Sequence, residues 1–291
     1  LDEYEKNNPR DFTLLKRARL SELKRGIYVK TQWGNVRPSW HIQCAAMSMK
    51  HLGETFDIHT STRELVFPHH ENERAIASAV TGKPLARYWV HCEQVLMDES
   101  GGEATRSHLP ALQAITDMGY TYREIRYWLV SSHYRKPLRF SEKRLLQARN
   151  ALRRLDSCVA SLQQADAEGA HPEIDQLVYD IRHGFMTAMD DDLNMPRAMA
   201  AVFRKVRQIN ALLAYNRLGA ADAEKILATF GEIDQVVGIF AFDQERHSPE
   251  IEALLRERDA ARQQRNFARA DAIREQLAEA GVDIHDDKIA R

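Results

Sequence analysis

Apolar positions along the chain change period, and the changes divide it into regions. From His41 to Leu52 they recur at helical spacing, at Ile42, Ala45, Ala46 and Met49, which predicts a helix closed by Gly53. Upstream, residues 1–33 are mixed and charged. Trp33-Gly34-Asn35 leading into Arg37-Pro38-Ser39-Trp40 reads as a loop, because proline restricts the residue before it. Glu54-Thr55-Phe56-Asp57-Ile58-His59 is short, rich in β-formers and bounded by turn residues, the pattern of a buried parallel strand. After a Thr60-Ser61-Thr62 loop and the apolar run Leu65-Val66-Phe67, Pro68 occupies the expected first turn of a helix running to about Val80 and stopping near Gly82. Tyr88-Trp89-Val90-His91 reads as another strand, and residues 98–109, polar and glycine-containing, as a loop.

Helix, strand, helix, strand in this order implies parallel strands joined by crossover helices. From residue 120 the character changes to long amphipathic helices over roughly 121–133, 141–164, 172–189, 196–215 and 220–237, the alternation of a bundle. Residues 250–264 and 266–280 form a last, highly charged helical hairpin with Gly281 at its C-cap. The expected fold class is α/β plus all-α. The C-terminal half of a doubly wound, Rossmann-like parallel sheet spans 1–118, a helical bundle 119–245 and a C-terminal hairpin 246–291.

Composition narrows the function classes. Hydrophobic residues are 44% and charged residues 29% of the chain, with no uninterrupted apolar run of the roughly 20 residues a membrane span requires, so no membrane partner is expected. Three cysteines, Cys44, Cys92 and Cys158, are odd in number and far apart, which suits a reducing, cytoplasmic setting better than a disulfide framework. The start Leu1-Asp-Glu-Tyr-Glu-Lys has neither an apolar signal segment nor an initiating methionine, so an upstream segment or a partner subunit is expected to complete the first domain. At a net charge of −1, any contact with nucleic acid must be local.

The densest chemistry lies in Phe67-Pro68-His69-His70-Glu71-Asn72-Glu73. Residues four apart share a helix face, so His69 and Glu73 point the same way and could offer one metal ion a ring nitrogen and a carboxylate oxygen. Cys44, near the start of a separate helix, could add a thiolate. That mixture favours zinc over calcium or magnesium, which take oxygen ligands. Spacing alone leaves open a plain His and Glu surface pair.

Consecutive blocks carry a resemblance. Arg37-Pro38-Ser39-Trp40-His41-Ile42-Gln43-Cys44-Ala45-Ala46-Met47-Ser48-Met49, Leu52-Gly53-Glu54-Thr55-Phe56-Asp57-Ile58-His59 and Phe67-Pro68-His69-His70-Glu71-Asn72-Glu73 are followed in order by Ser131-Ser132-His133-Tyr134-Arg135, Met189-Asp190-Asp191-Asp192-Leu193-Asn194-Met195-Pro196 and Ala270-Asp271-Ala272-Ile273-Arg274-Glu275-Gln276-Leu277. Together they resemble the cysteinyl-tRNA synthetases, class I enzymes that attach cysteine to tRNA(Cys) through a cysteinyl-adenylate made from ATP. In that family one zinc ion binds the thiolate of the substrate cysteine, held by two cysteines, a histidine and a glutamate. The resemblance places three of these at Cys44, His69 and Glu73, and puts Trp40 on a wall of the amino-acid pocket. The fourth ligand, a cysteine from early in the family's nucleotide-binding domain, has no counterpart, and Cys92 falls on a different strand. Metal ligation separates cysteine from serine because a hydroxyl is a poor zinc ligand and a thiolate a strong one.

The family's phosphate-handling elements depart from pattern. The His-Ile-Gly-His element is not in this sequence. His59-Thr60-Ser61-Thr62-Arg63-Glu64 stands where the family has a glycine-rich turn, so side chains occupy positions where backbone approaches the nucleotide. In place of the Lys-Met-Ser-Lys-Ser loop stands Asp98-Glu99-Ser100-Gly101-Gly102-Glu103-Ala104-Thr105-Arg106-Ser107-His108, in which Arg106, with Ser107 beside it, replaces the lysines in part while the acids oppose a triphosphate. These departures imply lost or changed adenylation.

In the bundle, Lys143, Arg144, Arg149, Arg153 and Arg154 form a basic stretch on one helix, which reads either as a tRNA phosphate contact or as a solvated face. The dense charge of the hairpin reads either as an RNA contact or as a hairpin that only packs against the bundle. His133 and Tyr134 are expected at the junction of core and bundle. Three functions compete: the ligase, a paralogue that binds cysteine, zinc or tRNA without activating the amino acid, and a ligase with a small amino-sugar acceptor. The long helical part argues against the last.

Overall fold

The computed structural model describes residues 11–97, 109–242, 253–254, 257–258, 261 and 266–279. They form two compact units, one running up to Gln94 and including Tyr134–Lys136, the other holding Val95–His133 and the chain from Pro137 on.

The first unit opens with a three-stranded antiparallel sheet of β1 (Leu15–Arg17), β2 (Val29–Thr31) and β3 (Gly34–Pro38) in the order β1-β3-β2, with a short helix α1 (Leu20–Lys24) between the first two. The expected loop before Trp40 is therefore largely strand. Pro38 is tolerated because it is the last residue of β3, where the lost N–H costs little. Helix α2 (Trp40–Leu52) starts after the single intervening residue Ser39 and ends at Gly53, whose φ of 96° is open to a residue without Cβ. β4 (Phe56–Thr62), helix α3 (Glu71–Thr81) and β5 (Ala86–Cys92) make the expected parallel pair with its crossover helix. Thr60-Ser61-Thr62, expected as a loop, continues β4 because each residue pairs in register with Val90, His91 or Cys92. Between β4 and α3 the chain makes a tight turn at Arg63–Leu65 and an irregular helical turn at Val66–His70, broken at Phe67. Gly82, left-handed at φ 71°, closes α3.

The second unit contains the parallel pair β6 (Val95–Met97) and β7 (Leu138–Phe140), short strands the periodicity did not reveal, with α4 (Leu112–Asp117) and α5 (Tyr122–Val130) between them. Thr121 caps α5 and exchanges hydrogen bonds with Glu124 in a capping box. Four long helices follow: α6 (Glu142–Leu162), α7 (Ile174–Asp190), α8 (Met195–Ala214) and α9 (Ala220–Val237), each within a few residues of expectation. Their core joins Leu155, Ile181, Val202, Ile226 and Phe230, at the helical spacing that called for a bundle. At the close crossing of α7 and α8, a Cβ on Gly184 would stand 3.2 Å from that of Ala201. Of the terminal hairpin, α10 (Phe267–Glu279) matches the second arm. Most of the first arm, the cap at Gly281 and the 98–108 loop lie outside the described residues. Among the described residues no helix is long and apolar enough to cross a membrane.

Ile226 is fully buried between the long helices, so Ile226→Ala should lower unfolding free energy by about 2–5 kcal/mol in a denaturant titration. Cys158, buried on α6 with its thiol pushed up to about 12 by desolvation, should resist alkylation until the bundle unfolds. Mass spectrometry after native and denaturing labelling checks this.

Candidate metal centre

The first turns of α2 and α3 bring the chemistry together. Ala45 on α2 and Ala77 on α3 are both fully buried, and such small side chains let the packed helices approach closely. Cys44 sits one residue before Ala45, and Glu73 one turn before Ala77. The donor atoms of Cys44, His69 and Glu73 lie within 4.8 Å of one another, with His69 and Glu73 buried and Cys44 half-buried. His69 Nε2 is 3.4 Å from Glu73 Oε1, the i,i+4 relation expected from their spacing. Trp40, four residues before Cys44, lies flat on the His69 ring at 4.0 Å and 19°, while remaining 54% exposed.

Sequence reasoning missed the histidines around these three. His41 Nδ1 is 2.7 Å from His69 Nδ1, so one of the two nitrogens donates to the other. On the opposite side of the carboxylate, His59 Nε2 stands 3.1 Å from Glu73 Oε2. Parallel register pairs His59 with Trp89, and the two rings stack at 4.4 Å. His70 Nδ1 is 2.8 Å from His91 Nε2, and His59, His70 and Glu73 form a second group whose donor atoms lie within 4.8 Å of each other. A signal was available: six of the chain's 12 histidines fall between residues 41 and 91.

Burial dominates the electrostatics. It pushes Glu73 up to about 7, against a smaller lowering by a hydrogen bond with Cys44, and raises the Cys44 thiol, with the Glu73 charge adding to the effect. Burial and the neighbouring imidazoles lower His69 and hold His70 down at about 4, so the cluster is neutral in imidazole near neutrality. Neither Glu73 oxygen nor His70 Nε2, all buried, has a hydrogen bond of good geometry. A buried carboxylate without such a bond, beside a thiol and neutral imidazoles, is a donor set that fits a borderline-soft divalent cation. If His69 ligates through Nε2, its Nδ1–H donates to His41, which fixes the ring and its tautomer.

The remaining site expectations fall elsewhere. Arg106 and Ser107 lie outside the described residues. On α6, Arg144 and Arg153 are exposed, but Arg149 is drawn inward. It donates to Glu124 Oε1 at 2.7 Å and to the Gly119 carbonyl, and its guanidinium lies 4.3 Å from the centre of the Tyr120 ring. Arg149 thus ties α6 to the start of α5.

The chain is similar to known proteins along nearly its whole length. Residues 2–150 match the family model of the tRNA synthetases class I (C) catalytic domain, residues 184–241 a DALR domain, and residues 245–290 a cysteinyl-tRNA ligase anticodon binding domain. A cysteine–tRNA ligase of Chlamydia pneumoniae is 38% identical over 291 residues, covering 99% of this chain and 61% of its own length. One of Methanosarcina acetivorans is 35% identical over 295 residues, again with 99% of this chain and 62% of the relative aligned. The chain thus spans about three fifths of the length of these relatives. A solved LeuRS–tRNA–LeuAMS complex of Agrobacterium radiobacter K84 shares the fold, with a TM-score of 0.53 at 11% identity over 76% of this chain and 33% of that one. With the catalytic-domain model matching more than half of its residues, the chain belongs to the cysteinyl-tRNA synthetase family of class I synthetases.

Proposed function

We propose that these residues supply the amino-acid-selecting centre and the RNA-contacting helices of a ligase that joins cysteine to tRNA(Cys) through a cysteinyl-adenylate made with ATP. The observation that carries this reading is the convergence of the Cys44, His69 and Glu73 donors within 4.8 Å, in a chain of this family. Those three would hold one Zn2+, with Glu73 offering the carboxylate that burial leaves without a good hydrogen bond. A zinc ion held there supplies a thiophilic Lewis acid that favours the sulfur of cysteine over the oxygen of serine. The protein's own groups set the frame. His41 orients the His69 ring, His59 lies against the far oxygen of Glu73, and Trp40 forms one wall over His69. In the bundle, exposed Arg144 and Arg153 are suited to phosphates, while Arg149 positions their helix. A ligating Cys44 must stay reduced, which suits the cytoplasm.

A second reading, a paralogue that binds cysteine, zinc or tRNA without ATP-dependent activation, is favoured by one observation. Thr60-Ser61-Thr62 continues β4 as paired strand where the family has a glycine-rich turn for the nucleotide. Cysteine-dependent ATP–pyrophosphate exchange separates the two: exchange supports the ligase, and its absence beside intact zinc and cysteine binding supports the paralogue.

The purified chain should contain about one zinc by elemental analysis. His69→Ala and Glu73→Gln should lose most of it, whereas His183→Ala, on the exposed face of α7, should keep it. Zinc retained in both centre variants would refute the ligand assignment. Ligation requires ionised Cys44 and Glu73, and burial raises both, so binding must release protons and weaken as pH falls from about 8 to about 6. Calorimetry in buffers of different ionisation enthalpy reads the proton release directly.

A further inference from the structure

The carboxylate of Glu73 has two oxygens, and the centre built on Cys44 and His69 needs only one of them. Oε1 lies 3.4 Å from His69 Nε2, whereas Oε2 stands 3.1 Å from His59 Nε2. Both oxygens are buried and neither has a hydrogen bond of good geometry. An ion held by Cys44, His69 and one of these oxygens leaves the other enclosed and unmet. A buried carboxylate oxygen in that state costs free energy unless a donor or a cation reaches it.

What lies against the far oxygen is a second set of ligand groups. One ring nitrogen each of His59 and His70 and an oxygen of Glu73 lie within 4.8 Å of one another. His59 Nε2 reaches hydrogen-bond distance of Oε2 without hydrogen-bond geometry. His70 is 2% exposed, its Nδ1 is engaged by His91 Nε2 at 2.8 Å, and its Nε2 is buried with no partner. With Nδ1–H donating to His91, Nε2 carries the lone pair. Two imidazoles and a carboxylate are ligands for a cation of the zinc or cobalt class, whereas calcium and magnesium take oxygen.

The contacts behind the ligands repeat on both sides of the carboxylate. His41 stands behind His69 at 2.7 Å, and His91 stands behind His70 at 2.8 Å. His59 is held by a hydrogen bond with the backbone of Thr60 and by its stack on Trp89. Metal-binding imidazoles are held in this way, with the second ring nitrogen hydrogen-bonded so that orientation and tautomer are fixed.

We propose that His59, His70 and Glu73 form a second divalent-metal site beside the first, with Glu73 bridging the two ions through its separate oxygens. The bridge meets both oxygens of the buried carboxylate and keeps the group ionised. Three protein ligands leave a position open to water, so this second ion presents a harder, oxygen-binding face than the thiophilic one at Cys44. The inference goes beyond the ligase reading: it shares Glu73 with the selecting centre but does not depend on which reaction the protein performs.

The test titrates Co2+ into the metal-free 291-residue chain and follows its absorption. A thiolate on cobalt gives an intense charge-transfer band in the near ultraviolet, and imidazole or carboxylate ligands do not. The first equivalent should bring in that band through Cys44, and the second should add only weak visible ligand-field bands. Two cations sharing one carboxylate repel, so the second should bind more weakly than the first. His70→Gln should abolish the second step and keep the charge-transfer band, which also shows that the variant folds around the first centre. His91→Ala should weaken the second step by about 10–100-fold, the loss expected when the partner behind a ligand is removed. A titration that ends at one equivalent with the band would overturn the second site and leave the first centre and the ligase reading standing. A second step unchanged in both variants would overturn the assignment too, because that ion then sits elsewhere. One equivalent without the band, lost in His70→Gln, would put a single ion on the histidine side and overturn both the bridge and the ligation by Cys44.

Discussion

The buried carboxylate of Glu73 sets the constraint around which the first unit is arranged. Its side chain is fully enclosed, and among the described residues its ion-pair neighbours are two imidazoles, themselves held neutral by burial. An ionised carboxylate in such a place costs several kcal/mol unless something positive meets it. The protein alone resolves this by keeping the group half protonated near neutrality. The rest of the unit, from the packing of α2 on α3 to the stack of His59 on Trp89, maintains that unfavourable placement, the kind of local cost that folds carry at working sites.

The ring system around the carboxylate follows from topology more than from any one motif. α2 contributes Trp40 and His41, the turn before α3 contributes His69 and His70, and the in-register parallel pair contributes His59, Trp89 and His91. Each imidazole is oriented by another ring or by the carboxylate, so the donor atoms are fixed by a chain of contacts spanning all the main elements of the unit.

Much of this was legible in the sequence, and the failures have physical causes. The i,i+4 spacing of His69 and Glu73 survives into the structure because Pro68 starts a helical turn there. The long helices were readable because Leu155, Ile181 and Ile226 belong to unbroken apolar stripes. The strands β1 to β3 were not, because a small, charged, two-sided sheet lacks the alternation that marks a half-buried strand. β6 and β7, three residues each, are too short for periodicity to register. Arg149 shows the limit of reading charge runs: it stands in a basic stretch, but Glu124 and Tyr120, far off in sequence, claim its guanidinium. The histidines at positions 41, 59, 70 and 91 carry no spacing signature because they meet only through tertiary packing.

The junction at Ser39 has a mechanical consequence. This residue is almost entirely enclosed, its amide is tied back to Leu14, and it alone separates the last residue of β3 from the first turn of α2. No glycine or slack loop intervenes to serve as a hinge. The little sheet and the helix bearing Trp40 and Cys44 are therefore obliged to move as a single lever. Any rearrangement between empty and loaded states must be taken up elsewhere, and the broken helical turn at Phe67 is where the backbone of this unit is least regular.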